Sequence, residues 1–183
     1  MKKKFFALVM MISFTAMAQR SDYEVLTDKK TKATVYRGEC TFDDLMNRAS
    51  FSWLAQGAAE YRPDTARISF LRKHLPAYHI VIFMGTWCDD TYNLLPKLYK
   101  VITATNFPMG NYTMYGVDRN KVTKNIEHKL YKIENVPTFI ISRGNTEIGR
   151  ITENTKKSIE TDLAVIIDQD LKKQELREQM EAK

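Results

Sequence analysis

Apolar positions along the chain alternate between strand-like and helix-like spacing. The run HIVIFMG (79–85) is continuous and apolar, which is typical of a central strand buried on both faces. The stretch from Cys88 carries Leu94 and Leu98 at helical spacing, so it predicts an amphipathic helix, with Pro96 expected to kink it. These two segments predict a strand followed by a helix at the centre of the domain.

The pattern after this unit predicts a second strand, a helix, a hairpin and a long final helix. In order, the segments are NYTMYGVD (111–118), KVTKNIEHKLYKI (121–133), PTFIIS (137–142) joined through Gly144-Asn145 to EIGRI (147–151), and a helix from about Thr155. The charged end of the final helix, beyond about Lys172, is expected to fray.

The pattern before the central strand is less regular. It predicts loose polar chain at 19–32 and a short strand at 33–38. A helix that opens with a capping box follows from Thr41 to about Ala49. An irregular aromatic stretch at 51–64 then leads to a second capped helix from Asp64 to about Leu75. The whole order predicts an α/β fold in which a central mixed β-sheet is flanked by helices on both faces, with an N-terminal helical and strand extension.

The first 18 residues have a different composition from the rest of the chain. Three lysines are followed by a stretch without charge, and Ala16-Met17-Ala18 precedes Gln19 in the manner of a signal-peptidase site. As a helix the uncharged stretch would span about 21 Å, too short for a bilayer core of about 30 Å. We therefore expect a signal peptide at 1–18, cleavage near Ala18-Gln19, no membrane insertion afterwards, and a periplasmic or secreted protein.

Length and charge narrow the remaining possibilities. The 183 residues suffice for one well-packed domain. Without the three signal-peptide lysines, 25 basic residues face 22 acidic ones, a net charge of +3 rather than +6. Because basic and acidic residues are interspersed, nucleic acid is not an expected partner. Two cysteines and three scattered histidines without metal-ligand spacing make a metal site unexpected, and no cofactor is predicted.

The segments around Cys88 resemble the thioredoxin family. Trp87-Cys88 follows the central strand, Pro96 lies eight residues after the cysteine, NVPTF (135–139) resembles the family's cis-proline segment, and RGNTEIGR (143–150) resembles its closing hairpin. More closely, FMGTWCDDTYNLLPKLYKV is similar to secreted bacterial thioredoxin-like proteins with a single cysteine in this turn. The resemblance covers about residues 76–170, and it implies an extension at 19–75 packed on a thioredoxin-like domain at 76–183.

The chain departs from the family at three chemically important places. Thr91 stands where a dithiol enzyme carries its second cysteine, Ile82 where thioredoxins carry a buried acid, and Met114 where that acid has a lysine partner. The resolving thiol and the residues that handle protons are therefore absent, whereas the nucleophile position and the proline remain.

The resemblance assigns candidate roles to five residues. Cys88 is the candidate nucleophile, with Thr91 expected to donate its hydroxyl to the sulfur and Trp87 to cover it or simply to pack. Val136 and a cis Pro137 are expected to turn a backbone edge toward Cys88 and hold an extended peptide. Cys88 is expected in the first turn of its helix, where the dipole favours a thiolate, whereas Asp89 and Asp90 oppose it by a similar amount.

Two functions remain open from the sequence. The first is monothiol thiol–disulfide exchange, of oxidoreductase or isomerase type, with proteins or low-molecular-weight thiols and disulfides as partners. The second is a redox-inactive module that binds a protein or peptide near Pro137. Cys40 is a candidate resolving thiol if it approaches Cys88, and otherwise a buried spectator. Whether the chain is an enzyme, and its oligomeric state, stay undecided at this level.

Overall fold

The computed structural model describes residues 22–182, so the predicted signal peptide at 1–18 lies outside the described residues. The strands are β1 (Asp22–Thr27), β2 (Thr34–Cys40), β3 (His79–Met84), β4 (Tyr112–Gly116), β5 (Thr138–Arg143) and β6 (Thr146–Thr152). The helices are α1 (Phe42–Met46), α2 (Ser52–Glu60), α3 (Thr65–His74), α4 (Asp89–Ala104), α5 (Glu127–Leu130) and α6 (Ile159–Glu181). Short 3₁₀ turns occupy Ala49–Phe51, Leu75–Ala77 and Met109–Asn111.

The six strands form one mixed sheet in the order β1-β2-β4-β3-β5-β6. β3 and β4 run parallel, connected through α4, and the other neighbouring pairs are antiparallel. The predicted central strand is confirmed as β3, which lies between β4 and β5 and is buried along nearly its whole length. The α/β class and the mixed sheet flanked by helices are therefore as predicted.

Most of the core lies on one face of the sheet. There, side chains of the strands meet buried residues from five helices, among them Phe42, Leu54, Leu71, Leu98 and Leu163. The opposite face carries a smaller cluster built on Val81, Phe83 and Ile140 and covered by Tyr131 and Ile133. Because α5 has only four residues, the second face lacks the long helix that the sequence pattern predicts there.

The N-terminal extension predicted at 19–75 is part of the sheet itself. β1 occupies a stretch expected to be loose, and it pairs with β2 along its full length. β2 in turn pairs with β4, Cys40 opposite Met114 and Gly38 opposite Gly116. The capping box of Thr41 is present as predicted. The extension thus contributes two of the six strands and shares the main core.

The aromatic stretch predicted to be irregular forms α2 instead. Leu54 and Ala58 are buried one helical turn apart, on the side that faces α4. Gly57 lies so close to Pro96 of α4 that an added Cβ would come within 2.8 Å of its ring. The prediction was wrong because α2 buries only Leu54 and Ala58, so its sequence has too few large apolar positions to reveal the helical period.

The amphipathic helix predicted at 121–133 is also wrong, since α5 covers only a third of it. The Asp118 carboxylate accepts a hydrogen bond from the backbone N–H of Val122 at 3.1 Å, which holds the chain in a turn. Such local bonds compete with helix formation. Ile126 and Leu130, expected on a buried face, are 57% and 67% exposed.

The final helix differs from its prediction at both ends. It starts at Ile159 rather than near Thr155, because the Ser158 hydroxyl caps it by accepting from the N–H of Thr161 at 3.4 Å. It continues to Glu181, beyond the point where fraying was expected. No helix within residues 22–182 has both the length and the apolar character to cross a bilayer.

A substitution at Gly116 tests how closely β2 approaches β4. An added Cβ would lie 2.2 Å from the carbonyl oxygen of Tyr36 on β2, a backbone atom that cannot move aside. We expect Gly116→Ala to lower the free energy of unfolding by about 3 kcal/mol in urea titrations. Gly110→Ala is the matched control, since nothing lies within 4 Å of its Cβ, and its effect should stay within about 0.5 kcal/mol. Equal effects of the two changes would contradict this account.

Candidate functional site

The turn that follows β3 is held by side chains of α4. The N–H of Cys88 donates to the carbonyl of Gly85 at 2.9 Å, which closes the turn. The N–H of Gly85 donates to the hydroxyl of Thr91 at 3.2 Å, and the hydroxyl of Tyr92 donates to the carbonyl of Thr86 at 2.8 Å. The backbone of the turn is thus satisfied from the first two turns of the helix that it opens.

The N-terminal extension holds the other side of this turn. The hydroxyl of Thr86 donates to the carbonyl of Thr34 at 2.9 Å and accepts from the N–H of Tyr36 at 3.2 Å. Thr86 is almost fully buried, at 1% exposure, so these bonds are shielded from water. β2 therefore positions the turn directly.

Cys88 is the N-cap residue of α4. The sequence predicted a place in the first turn of the helix, and that prediction was wrong by one position. Its thiol is half-buried and donates a hydrogen bond to the carbonyl oxygen of Val136 at 3.3 Å. No side-chain cap bond is made at this helix start. An N-cap side chain ordinarily accepts from the second or third helical N–H, here those of Asp90 and Thr91. The sulfur thus lies where a helix start favours a negatively charged acceptor.

Val136 and Pro137 form the facing wall. The Val136-Pro137 peptide bond is cis, as predicted, and both residues are buried. The bond between Cys88 and Val136 joins positions 48 residues apart. On the other side, the carbonyl of Pro137 accepts from the N–H of Glu153 at 2.9 Å, which ties the proline to the end of β6.

Trp87 packs beside Cys88 and is held on two sides. Its indole N–H donates to the carbonyl of Val117 at 2.8 Å, and the guanidinium of Arg119 lies 4.9 Å from the ring centroid. Arg119 forms an ion pair with Asp28 in the turn between β1 and β2. The contacts describe a packed Trp87, one of the two roles that the sequence left open.

Asp28 and Arg119 are members of the site that sequence reasoning missed. The Asp28 side chain is 4% exposed and also accepts from the N–H groups of Lys30 and Thr31. The Arg119 guanidinium, helped by the Thr31 N–H, holds the pKa of the Asp28 carboxyl well below its usual range. The two residues are 91 positions apart and belong to no local motif, so no sequence signal pairs them.

Thr91 does not have the role expected of it. Its side chain is fully buried, and its hydroxyl is occupied by the N–H of Gly85. Among the described residues, no hydrogen bond joins it to the thiol of Cys88, whose donor points to Val136 instead. Thr91 supports the turn, and its predicted contact with the sulfur is wrong.

Cys40 corresponds to the buried spectator of the two alternatives. It is 1% exposed within the main core, and both cysteines are free thiols. Burial raises the pKa of the Cys40 thiol far above its usual range. Cys88 packs against the cluster on the opposite face of the sheet. Cys40 is therefore poorly placed and poorly ionised to resolve a disulfide at Cys88.

The two places where thioredoxins carry an acid and a lysine are apolar here. Ile82 and Met114 are neighbours on β3 and β4, and both are fully buried in the main core. These two positions therefore place neither an acid nor a lysine beneath the turn. Within residues 22–182, no group of three or more His, Cys, Asp and Glu side chains is arranged to hold a metal ion.

Removing the Thr91 hydroxyl should weaken the turn. Thr91→Val keeps the shape of the side chain but leaves the N–H of Gly85 buried without a partner, which costs about 1–3 kcal/mol of unfolding free energy. Thr91→Ser keeps the hydroxyl and should lose less. The comparison is made by urea titration, and a Val variant as stable as the Ser variant would refute the supporting role.

Asp28 should make stability depend on acid pH. The unfolded chain protonates this carboxyl near pH 3.9, whereas the folded protein does so at a lower pH. Its stabilising contribution is complete above about pH 5 and is lost as the pH falls through the lowered folded pKa. Unfolding midpoints measured between about pH 5 and pH 2.5 should fall more steeply for the unmodified protein than for Asp28→Asn. Parallel pH profiles would contradict the ion pair.

Comparison with known proteins leaves the family open. No family model matches the chain, and no curated protein matches its sequence. Among solved structures, a protein of unknown function from Pseudomonas aeruginosa is 12% identical, with a TM-score of 0.49, over 68% of this chain and 76% of that one. An HIV epitope scaffold is 14% identical, with a TM-score of 0.46, over 64% of this chain and 73% of its own. At these values the similarities assign neither family nor function.

Proposed function

We propose that the chain is a thioredoxin-like protein of the cell envelope that carries out monothiol thiol–disulfide exchange through Cys88. The observation that supports this most directly is the 3.3 Å hydrogen bond from the Cys88 thiol to the carbonyl of Val136, beside a cis proline. A half-buried thiol at a helix start can both ionise and be reached by a second sulfur. The envelope location rests on the predicted signal peptide alone.

The proposed reaction begins with loss of the thiol proton of Cys88 to solvent. The thiolate then attacks one sulfur of a substrate disulfide, forming a Cys88–substrate mixed disulfide as the substrate's own S–S bond breaks. The second substrate sulfur leaves as a thiolate and takes a proton from solvent. No net oxidation or reduction occurs, because one disulfide is exchanged for another.

The N-cap position offers the charge stabilisation that this step needs. The neutral thiol donates to the Val136 carbonyl, an acceptor that a thiolate cannot use. The helical N–H groups of Asp90 and Thr91 are donors within reach of an N-cap side chain. Deprotonation therefore favours a turn of the sulfur away from Val136 and toward the helix. That movement would free the Val136 carbonyl for the backbone of a bound peptide.

Completion of the cycle depends on a thiol from outside the chain. Thr91 supplies no sulfur, and Cys40 is buried with its thiol pKa raised. Attack of an external thiol on the substrate sulfur regenerates the Cys88 thiolate and leaves the substrate in a disulfide with that thiol, or rearranged where the attacking thiol is the substrate's own. Attack on the Cys88 sulfur releases the substrate as a thiol and leaves Cys88 in a mixed disulfide that a second external thiol must reduce. This requirement suits isomerisation or removal of low-molecular-weight thiol adducts better than net oxidation.

The two cysteines allow a matched test. On incubation with glutathione disulfide, the unmodified chain and Cys40→Ser should each gain one glutathione adduct, and Cys88→Ser should gain none. Intact-mass spectrometry reads the adduct, and tryptic mapping places it at Cys88. All three proteins should show the same far-ultraviolet circular dichroism, because both substitutions are nearly isosteric.

The alternative is a redox-inactive module that binds a peptide near Pro137. The apolar pair of Ile82 and Met114 favours it, since neither of these two positions beneath the turn carries an acid or a lysine to move protons. A folded, unmodified chain that stays free of adduct under the conditions above would reject the exchange reaction and favour this module. An adduct that depends on Cys88 would favour the exchange reaction.

A further inference from the structure

A basic cavity lies at the edge of the sheet between β6 and α6. It has a volume of about 450 Å³ and is lined by four basic side chains (Arg67, Arg150, Lys156, Lys157) and one carboxylate, Asp162. That volume is within the range of ordinary ligand pockets. Its floor is apolar, so the cavity combines positive charge with a surface that the methylene groups of a bound side chain can contact.

The floor consists of Ile151 on β6 together with Val165 and Ile166 on α6. Val165 is 45% exposed, which is high for an aliphatic residue beside a cavity. An acidic side chain with an apolar stem, such as glutamate, fits this combination because its methylenes can contact the floor while its carboxylate meets the basic rim.

The positive charge of the cavity is mostly uncompensated. Arg150 is paired with Glu147, and the carboxylate of Asp162 accepts from the backbone N–H of Lys156 at 2.6 Å. Within residues 22–182, no carboxylate lies within 4 Å of the charged nitrogens of Arg67, Lys156 or Lys157. Three cations around one opening attract an anionic group and repel a cationic one.

The cavity opens at the same end of the sheet as Cys88. Phe83 of β3, Thr138 of β5 and Thr152 of β6 are aligned across the sheet, and Glu153 is hydrogen-bonded to Pro137. Neighbouring strands are about 4.8 Å apart, so β6 lies about 10 Å from β3. An extended chain of about three to five residues spans about 10 to 17 Å, which matches this separation and allows for the displacement of the cysteine beyond the end of β3.

The edge position of β6 favours a peptide as the occupant. β6 is the last strand of the sheet, and within the described residues it pairs with β5 alone. The backbone groups on its outer side are available for an added extended strand. A small anion or a lipid headgroup would use the basic side chains but not this backbone edge.

The carboxylates next to Cys88 have the opposite sign to the cavity, while the guanidinium of Arg119 on Trp87 is paired with Asp28. Asp89 and Asp90 begin α4 directly after the cysteine, and Glu153 follows β6 beside Pro137. Acidic side chains next to the substrate cysteine would meet these carboxylates, whereas acidic side chains farther along would reach Lys156 and Lys157. The arrangement therefore discriminates by the distance between the acid and the cysteine, as well as by sign.

We infer that the substrate of the proposed exchange reaction is an extended peptide segment with acidic residues about three to five positions from its disulfide cysteine. This inference rests on the proposed function. Pro137 holds the segment next to the cysteine, the edge of β6 pairs with its backbone, and Arg67, Lys156 and Lys157 bind its acidic side chains.

Peptide probes of matched length test the inference. Each carries one cysteine as a mixed disulfide with thiopyridine and, at the stated distance on either side, two glutamates, two glutamines or two lysines. Attack by Cys88 forms the protein–peptide disulfide and releases thiopyridone, whose absorbance gives the second-order rate constant. The glutamate probes should react about tenfold faster than the lysine probes at low salt, and the difference should shrink at high salt.

Variants of the protein show which residues cause the preference for the glutamate probes. Lys156→Gln/Lys157→Gln should reduce the glutamate-to-lysine rate ratio to near one, and Lys156→Arg/Lys157→Arg should retain it. Lys73→Gln/Lys173→Gln removes the same charge from exposed positions on α3 and α6 that do not line the cavity, and it should retain the ratio as well. The Arg variant separates loss of charge from loss of fold.

The outcomes distinguish the two proposals. Equal rates for all probes, with release that requires Cys88, would overturn the acidic substrate and leave the exchange reaction standing. If no probe reacts, the exchange reaction fails, and binding of serine-for-cysteine versions of the peptides decides the inference. Tighter binding of the glutamate version, lost in the Lys156→Gln/Lys157→Gln variant, would support an acidic peptide partner. Equal binding of the glutamate and lysine versions would overturn it.

Discussion

The geometry of the site depends on how the backbone of residues 85–88 satisfies its hydrogen-bonding groups after β3 ends. A buried N–H or carbonyl without a partner is costly, so every polar group in this turn constrains its surroundings. Thr91 and Tyr92 supply partners from α4, and Thr86 joins the turn to β2. These bonds hold the turn between β3 and α4, and Cys88 stands at its end as the N-cap residue of the helix.

The groups around Cys88 limit the reactions in which its single sulfur can take part. Its neutral form is bonded to Val136, and its charged form has helix N–H groups at hand. The rest of its environment is a packed indole, a guanidinium already paired with Asp28, and two carboxylates that follow it in α4. None of these groups supplies a second sulfur, and Cys40 is buried in the core. Chemistry at such a site depends on partners that arrive from outside.

The sequence predicts the parts of the fold that come from strong local patterns. The continuous run of β3, the β5–β6 hairpin and the Asp64 cap of α3 are found in the structure. The cis Pro137, which the family resemblance implied and no local pattern did, is found as well. Where several weak effects compete, the prediction fails. The sequence does not reveal α2 because that helix buries only Leu54 and Ala58, and α5 is shortened by side-chain bonds from Asp118 that outweigh a regular apolar spacing.

The site is predictable to a similar extent and for the same reason. Cys88, Val136 and Pro137 belong to segments that sequence patterns mark, and they meet in the structure. Asp28 and Arg119 come from two turns with no distinguishing composition, and only the pairing of β2 with β4 brings them together. Thr91 was assigned by its position relative to the cysteine. Its actual partner, the N–H of Gly85, follows from the shape of the turn.

The β1–β2 hairpin is far from Cys88 in the sequence but supports its turn in the folded protein. Asp28, Thr34 and Tyr36 precede Cys88 by 52 to 60 residues, yet they hold its turn and the arginine beside it. A domain boundary at residue 75 would separate the Cys88 thiol from these three residues. The site therefore requires the whole sheet. A fragment that kept the tryptophan–cysteine pair without the hairpin would contain the motif but not the residues that hold it in place.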